Sequence, residues 1–374
     1  MNYKQQIKQY LLNIPGWRTK RKIVVFESDD WGMVRMASRE ARERLRKKGY
    51  PIHKSVYNIF DALENEHDIE ALMEVLTSVK DKNDNPCKFT INNIVANPDF
   101  PKIKESNYEK YFYEPFPQTL QRYHRSDTVL QLYREGIASK ALQPQFHGRE
   151  HVHVSNWFKR LQSKDQAFLD AFDERMFTIN IDKGNSCLEE CLDAMATYEA
   201  HELEDTSRAV TEGLKLFSDI WGFASKSVIA PCYTWHSSLE NTFKSNGVSF
   251  VQGARAQRSP VIGNNRKIIK RHYMGEQSPQ GLKYLIRNVD FEQIERNNPA
   301  IVHTALKQID IAFSLKKPAI ISSHRVNYIG YIEESNRTSN LKLLKDLLQQ
   351  IIRRYPDVEF MSSDELGAFM NKYS

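Results

Sequence analysis

Hydrophobic and polar positions divide the chain into short apolar runs and longer amphipathic stretches. Seven short runs predict strands, at 22–27, 87–91, 142–146, 227–230, 248–251, 318–322 and 358–361. Apolar residues at helical spacing predict helices, at 38–48, 67–80, 117–135, 188–217, 236–245, 299–316, 335–354 and 362–372. Strand–helix alternation of this kind is typical of a parallel sheet with crossover helices.

The architecture predicted from this alternation is α/β, a distorted (β/α) barrel of about seven parallel strands. An open doubly wound sheet is the alternative, although the chain has neither a GxGxxG nor a Walker loop. No long linker divides the chain, so we expect one barrel domain over 1–374 with an N-terminal extension at 1–21. Helical insertions are expected after the first two strands, at about 35–85 and 97–135, and a basic polar excursion at 255–290.

Composition and charge narrow the class of protein. Hydrophobic residues make up 40% of the chain and charged residues 27%, which is typical of a globular protein with a sizeable core. The net charge of +6 suits an anionic sugar, nucleotide or lipid head group, but it is too small to predict nucleic-acid binding. No run reaches the roughly 18 apolar residues of a membrane span.

Four cysteines in 374 residues are too few for a disulfide framework. We therefore expect a cytoplasmic protein with reduced thiols. Cys187 and Cys191 are predicted to be core or surface thiols rather than metal ligands.

Residues with catalytic chemistry follow several of the predicted strands. The first strand ends in "ESDDWG", which places Asp29 beside Asp30, and two such carboxylates repel each other unless a divalent cation lies between them. His147 and His151 follow the third strand at a spacing common among metal ligands, and His324 ends the sixth strand. Because parallel strands end at the same edge of a sheet, we expect a metal site there, with one aspartate as ligand and the other as base.

Three motifs in this order resemble those of the polysaccharide deacetylases, also called carbohydrate esterase family four, which share the chitooligosaccharide deacetylase homology domain. They are "FESDDWG", "HGREH" and "AIISSH", and the resemblance extends over roughly 22–370. It implies a distorted barrel and a hydrolase that removes N- or O-acetyl groups from sugars with a divalent metal, usually zinc. It also implies the roles of five residues: Asp29 as general base, Asp30, His147 and His151 as metal ligands, and His324 as general acid.

Two other motifs of the family differ in this chain. "IAPCYTW" keeps Pro231 but has Ala230 where the family has an arginine that orients the base, and we consider Arg325 and Arg149 as substitutes. The backbone N–H near Tyr233 is the expected oxyanion donor. The aspartate that tunes the acid histidine is absent near "VQGARAQ", and the sequence does not identify its replacement.

The substrate implied by the resemblance is an acetylated saccharide, with lipid-linked and nucleotide-linked forms as alternatives. Trp31, Tyr233 and Trp235 are candidates either for stacking on sugar rings or for core packing. Two other functions fit the same residues. "HGREH" also matches the His-x-x-Glu-His motif of zinc peptidases, which requires both histidines on one helix. A barrel without the family arginine and aspartate could instead be a carbohydrate-binding protein with impaired catalysis.

Overall fold

The computed structural model describes residues 3–179, 187–292 and 298–373. Its strands are β1 Ile23–Trp31, β2 Phe89–Ile94, β3 Ala96–Pro98, β4 Tyr113–Pro115, β5 Leu142–Gly148, β6 Ser227–Ile229, β7 Phe250–Gly253, β8 Ala256–Pro260, β9 Lys267–Arg271, β10 Lys283–Ile286, β11 Val289–Asp290, β12 Ala319–His324 and β13 Glu359–Phe360. Its α-helices are α1 Tyr3–Asn13, α2 Arg39–Lys47, α3 Val56–Phe60, α4 Glu66–Thr77, α5 Phe100–Glu105, α6 Phe116–His124, α7 Thr128–Ala138, α8 Val154–Gln162, α9 Gln166–Asp173, α10 Glu202–Trp221, α11 Leu239–Ser245, α12 Ala300–Ser314, α13 Glu334–Arg354 and α14 Ser363–Lys372. Single 3₁₀ turns lie at Ile52–Lys54, Pro231–Tyr233 and Arg325–Asn327.

Nine strands form one parallel sheet. Their order is β10-β7-β6-β5-β2-β1-β12-β11, and β13 pairs with the first residues of β1. Every pairing within this sheet is parallel. The other four strands form two antiparallel pairs, β3 with β4 and β8 with β9.

The two end strands of the sheet, β10 and β11, are joined by only Arg287 and Asn288. Three peptide steps span at most about 11 Å, so the two ends must lie close together and the sheet must curl. The Arg287 N–H donates to the Gly253 carbonyl at 2.9 Å, and the Asn288 N–H donates to the Ile320 carbonyl at 3.0 Å. The prediction of an α/β distorted barrel is therefore confirmed.

All seven predicted strands correspond to strands of this sheet. The polar excursion predicted at 255–290 instead contributes β10, β11 and the β8–β9 pair. The helix predicted over 188–217 begins only at Glu202. The structure therefore adds two short end strands to the predicted seven.

Alternate residues of β1 pack into two apolar clusters. Val24 and Phe26 pack with α4, α7, α12 and α13, whereas Ile23 and Val25 pack with α10, α11 and α14. Each such buried side chain stabilises the fold by roughly 1.5–3 kcal/mol. The apolar residues in the first half of β1 thus help to offset the cost of burying polar groups at the carboxyl ends of the strands. No helix in the described ranges is long and apolar enough to cross a membrane.

Candidate functional site

The carboxyl ends of the strands surround a cavity of about 420 Å³. All six residues predicted from the sequence as site residues line it, namely Asp29, Asp30, His147, His151, Tyr233 and His324. The fold thus brings together side chains that lie up to about 300 residues apart in the sequence, as expected for the end of a parallel barrel.

The end of β1 changes direction at Asp30. The pairing of β1 with β2 shifts register between Ser28 and Trp31, and Asp30 has a φ of 75°, in the left-handed region that aspartate tolerates better than most residues. Gly32 also has a positive φ of 83°, and a Cβ there would lie 2.4 Å from the Ile94 carbonyl oxygen. A bulge of this kind re-aims side chains, and here it separates the two aspartates.

Asp30, His147 and His151 form a buried group whose potential ligand atoms all lie within 4.8 Å of one another. The Asp30 Oδ1 atom is 3.2 Å from His147 Nε2 and 3.4 Å from His151 Nε2. Ligand atoms at about 2.0–2.2 Å from a tetrahedral zinc would lie about 3.3–3.6 Å from one another. The three side chains could therefore hold a metal ion.

The hydrogen bonding of His147 favours a cation at this position. Its Nδ1 lies 2.9 Å from the Ile229 carbonyl, which can only accept, so Nδ1 carries the proton. In the neutral imidazole, Nε2 then presents a lone pair toward the Asp30 carboxylate, an arrangement that is repulsive without a cation between them. A backbone carbonyl that fixes the tautomer is a common partner of metal-binding histidines.

Asp29 is fixed by an arginine that the sequence reasoning missed. Arg287 donates to both carboxylate oxygens, from Nη1 at 2.7 Å and Nη2 at 2.6 Å, and Asn92 donates to Oδ1 at 2.7 Å. Burial raises the pKa of Asp29, but the charge and hydrogen bonds of Arg287 outweigh burial and lower the pKa to about 2. The Asp29 carboxylate is therefore ionised at neutral pH.

Arg287 is itself held on its other side. Its Nε donates to Glu27 Oε2 at 2.7 Å, and its Nη1 donates to the Tyr233 hydroxyl at 3.1 Å. Glu27 in turn accepts a hydrogen bond from Ser363 at 2.7 Å. The guanidinium therefore has little freedom to move, and it orients Asp29 toward the cavity.

His324 also has a partner that the sequence reasoning did not identify. Its Nδ1 lies 2.5 Å from Glu292 Oε1, and its Nε2 lies 3.8 Å from Asp29 Oδ2. Burial lowers the pKa of the imidazole, but the charge and hydrogen bond of Glu292 outweigh burial and raise the pKa well above its usual range. Glu292 thus favours the protonated histidine.

The two arginines considered as substitutes for the family arginine lie elsewhere, so this expectation is wrong for both. Arg325 binds Asp61 at 2.8 Å and Glu64 at 2.8 Å in a fully buried cluster. Arg149 binds Glu150 at 2.6 Å. Their own carboxylates hold both guanidinium groups away from Asp29.

Tyr233 lies in the site, but its backbone N–H is not free. That N–H donates to the Ala230 carbonyl at 2.9 Å, so in this conformation it cannot serve as the expected oxyanion donor. The two tryptophans do not face the cavity. Trp31 and Trp235 are 0% and 2% exposed, and their indole N–H groups bond to Ser28 and Glu240. Core packing is therefore the correct alternative for both.

A disulfide joins Cys187 to Cys232 on the cavity wall. The expectation of reduced thiols is thus wrong for these two residues, because the fold brings together cysteines 45 positions apart. Cys87 and Cys191 are unpaired and buried.

The zinc-peptidase alternative does not fit the local structure. His147 lies in β5, and the residues around His151 are not helical, so the two histidines do not share a helix face. Glu150, the acid of that motif, binds the Arg149 guanidinium. His153 caps α8 by accepting from the Asn156 N–H at 3.2 Å.

Comparison with known proteins gives structural neighbours but no sequence relatives. No family model and no curated protein matches the sequence. Among 23 matching chains of solved structures is a Parabacteroides distasonis protein with the provisional name glycoside hydrolase/deacetylase, at 10% identity, with a TM-score of 0.50 over 96% of this chain and 73% of that one. A provisionally named polysaccharide deacetylase from Mycobacterium smegmatis has a TM-score of 0.44 at 10% identity, over 96% of this chain and 93% of that one.

A 4-alpha-glucanotransferase from Thermococcus litoralis also matches, at 10% identity and a TM-score of 0.45, over 93% of this chain and 40% of that one. One fold can host many unrelated activities, so function is argued from the residues of the site. Fold and site together define an α/β distorted barrel with a buried Asp-His-His group that could bind a metal ion.

Proposed function

We propose that the protein is a metal-dependent hydrolase that removes acetyl groups from an acetylated saccharide. One observation carries the proposal. An arginine-held carboxylate, Asp29, and a glutamate-held imidazole, His324, flank the group formed by Asp30, His147 and His151 in one cavity. A base, an acid and a metal-binding group that line one cavity are what metal-assisted hydrolysis of an amide or ester requires.

Asp30, His147 and His151 are the proposed metal ligands, and zinc is the proposed metal. Two imidazoles and one carboxylate leave positions open for water and substrate, which is typical of catalytic rather than structural zinc sites. When bound, the metal would supply a Lewis acid and lower the pKa of water toward neutrality.

Asp29 is the proposed general base. It takes a proton from water as the water oxygen bonds to the acetyl carbonyl carbon. Arg287 and Asn92 hold the carboxylate in one orientation. The entropy of positioning it is therefore lost when the protein folds and not during the reaction. Positioned acid or base groups typically contribute about 10²–10⁴-fold to a rate.

His324 is the proposed general acid. Its Nδ1 is committed to Glu292, which leaves Nε2 directed toward Asp29 and the reacting groups. A proton from this nitrogen reaches the leaving amine or alcohol as the C–N or C–O bond breaks, and acetate and the deacetylated saccharide are released. The raised pKa of His324 supports a protonated ground state.

A carbohydrate-binding protein without activity is now the weaker alternative. That alternative depended on the missing family arginine and aspartate. Arg287 binds the proposed base and Glu292 binds the proposed acid, which are the tasks expected of the missing arginine and aspartate. The paired charges support catalysis over binding alone.

The test is acetate release by the zinc-loaded protein over a panel of N- and O-acetylated sugars, including lipid-linked and nucleotide-linked forms. We expect release from at least one sugar, and Asp29→Asn should reduce it by about 10²–10⁴-fold while zinc stays bound. His153→Ala is the matched control, because His153 is buried nearby but caps a helix. Saccharide binding without acetate release in the zinc-loaded wild type would contradict the proposal.

A further inference from the structure

Arg35 is a buried cation on the cavity wall, and it has no acceptor among the described residues. It lies four residues after the end of β1, is 4% exposed and lines the cavity. Its Nε atom is buried with no hydrogen-bond partner, and no described residue forms an ion pair or hydrogen bond with its guanidinium. Burying a guanidinium without an acceptor is costly, so such a group in a cavity calls for an explanation.

Two aromatic rings hold this guanidinium. Its central carbon lies 5.2 Å from the Tyr57 ring centroid and 5.8 Å from that of Phe177. A cation–π contact attracts the charge without using the N–H donors. The donors of Arg35, which no residue of the described ranges engages, are therefore available to a ligand.

The same two rings place Arg35 beside the catalytic groups. The Tyr57 ring contacts the ring of His324, with centroids 6.0 Å apart. The Phe177 ring stacks on His151, with centroids 6.5 Å apart. A ligand group bound by Arg35 would therefore belong to the molecule whose acetyl group lies at the metal-binding site.

The backbone around Arg35 is fixed from both sides. The Val34 N–H donates to the Asn97 side chain at 2.9 Å, and the Met36 N–H donates to the Asp61 carbonyl at 2.7 Å. Binding therefore requires little ordering of this segment, which favours affinity.

The carboxylates of the site already have partners of their own. Asp29 binds Arg287, and Glu292 binds His324. Burial raises the pKa of Asp61, and the charges of Arg325 and then Arg35 oppose this rise, but the carboxylate binds Arg325. Within residues 3–179, 187–292 and 298–373, Arg35 therefore forms no ion pair, and exposed Lys54 adds a second positive charge to the same wall.

We infer that Arg35 binds a carboxylate or phosphate group of the substrate, so that the substrate is an acidic acetylated saccharide. This inference rests on the proposed function for the identity of the ligand as a saccharide. A guanidinium presents paired N–H donors that match the oxygens of both anions. Uronic acids and sugar phosphates are the two sources of such an anion.

The test is calorimetric binding to zinc-loaded protein carrying Asp29→Asn, which prevents turnover. The probes are N-acetylglucosamine, its uronic acid and its 1-phosphate. We expect one anionic probe to bind roughly 10- to 100-fold tighter than the neutral sugar, the range for hydrogen bonds to charged groups. The tighter of the two anionic probes identifies the source of the anion.

Arg35→Gln should remove this preference and leave the affinity for the neutral sugar unchanged. Arg35→Lys keeps the charge and should retain part of the preference, and thermal unfolding and zinc content of both variants establish that they fold. Arg46→Gln, at an exposed arginine of α2, is the matched control. An equal preference in Arg35→Gln, or none in the unsubstituted background, would overturn the inference.

The outcomes separate this inference from the proposed function. Charge preference without acetate release by the Asp29-containing protein would contradict the hydrolase but not the role of Arg35. Acetate release with no preference among the probes would support the hydrolase and reject the acidic substrate.

Discussion

Arg287 and Arg325 are two buried arginines that use the same chemistry for different purposes. Both are nearly inaccessible, at 5% and 0% exposure, and each binds a pair of carboxylates. The pairs are Glu27 and Asp29 for Arg287, and Asp61 and Glu64 for Arg325. Of the four carboxylates, only Asp29 lines the cavity. An ion cluster of one composition can therefore orient a side chain of the cavity wall or only join loops, depending on whether one of its carboxylates lines the cavity.

We expect the largest effect, a loss of stability, from a substitution in the Arg325 cluster, which joins loops. Arg325→Met leaves two buried carboxylates without a counter-charge, and breaking a buried pair in this way typically costs about 3–5 kcal/mol. We expect that loss in the free energy of unfolding, measured by urea denaturation, with zinc binding retained by the folded fraction.

A triple variant, Asp61→Asn with Glu64→Gln and Arg325→Met, separates charge from shape. It removes all three charges together, so most of the lost stability should return. If Arg325→Met unfolds at the same urea concentration as the wild type, the cluster does not stabilise the loops as described.

The corresponding change in the Arg287 cluster also leaves two buried carboxylates without a counter-charge, so it should lower turnover as well as stability. Arg287→Met removes two of the three hydrogen bonds that orient Asp29 and leaves the one from Asn92, so it should lower kcat by about 10²-fold, the lower end of the contribution of a positioned base. Arg287→Lys should restore part of the rate, because it returns the charge but not the paired donors. An unchanged kcat with zinc bound would show that Asp29 needs no partner.

Substitution of Glu292 should have a smaller effect on activity, and this effect should depend on pH. Glu292→Gln removes the charge that raises the pKa of His324, so the folded pKa should fall. Because the proposed acid, His324, must be protonated, activity is lost as pH rises through its pKa. The alkaline limb of the pH–rate profile should therefore move to lower pH in Glu292→Gln. At a pH above this limb, each unit by which the pKa falls lowers the rate by about tenfold.

Asn327→Ala is the control for that profile, since Asn327 donates to the second Glu292 oxygen at 2.9 Å and leaves the charge in place. A similar alkaline limb in Glu292→Gln and wild type would reject the role of Glu292.

The smallest effects come from a matched pair of tyrosines. The Tyr133 hydroxyl donates to Glu64 in the Arg325 cluster at 2.8 Å, and the Tyr233 hydroxyl accepts from Arg287 at 3.1 Å. Tyr133→Phe should lower the free energy of unfolding by about 0.5–1.5 kcal/mol without changing kcat. Tyr233→Phe should lower kcat severalfold with little loss of stability. A lower kcat in Tyr133→Phe, together with a loss of stability but not of kcat in Tyr233→Phe, would contradict the distinction between the two clusters.

Much of the barrel was predictable because its strands are apolar on both sides. The run that became β1 and the run "AIISS" of β12 are continuous and hydrophobic, and the motifs that end them carry Asp29, Asp30 and His324. Such strands give a strong local signal.

Arg287 and Glu292 were missed for a physical reason. They follow β10 and β11, which are four and two residues long and come after a strongly basic stretch. The alternation of "LKYLIRNVDF", with buried Leu285 and Val289, was the available signal. That Arg287 reaches Asp29 depends on the closing of the sheet, which no local pattern encodes.

The burial of Arg35 on the cavity wall could not be predicted from the sequence for the same reason. A single arginine in "GMVRMAS" carries no local signal, because its burial and its two ring contacts come from residues distant in the sequence.

The measurement that tests the central claim most directly is an anomalous difference map at the zinc edge from crystals of the zinc-loaded protein. We predict one strong peak within bonding distance of Asp30, His147 Nε2 and His151 Nε2, retained in His153→Ala and lost in His147→Ala. A map with no peak among these three side chains, or the same peak in His147→Ala, would contradict the account.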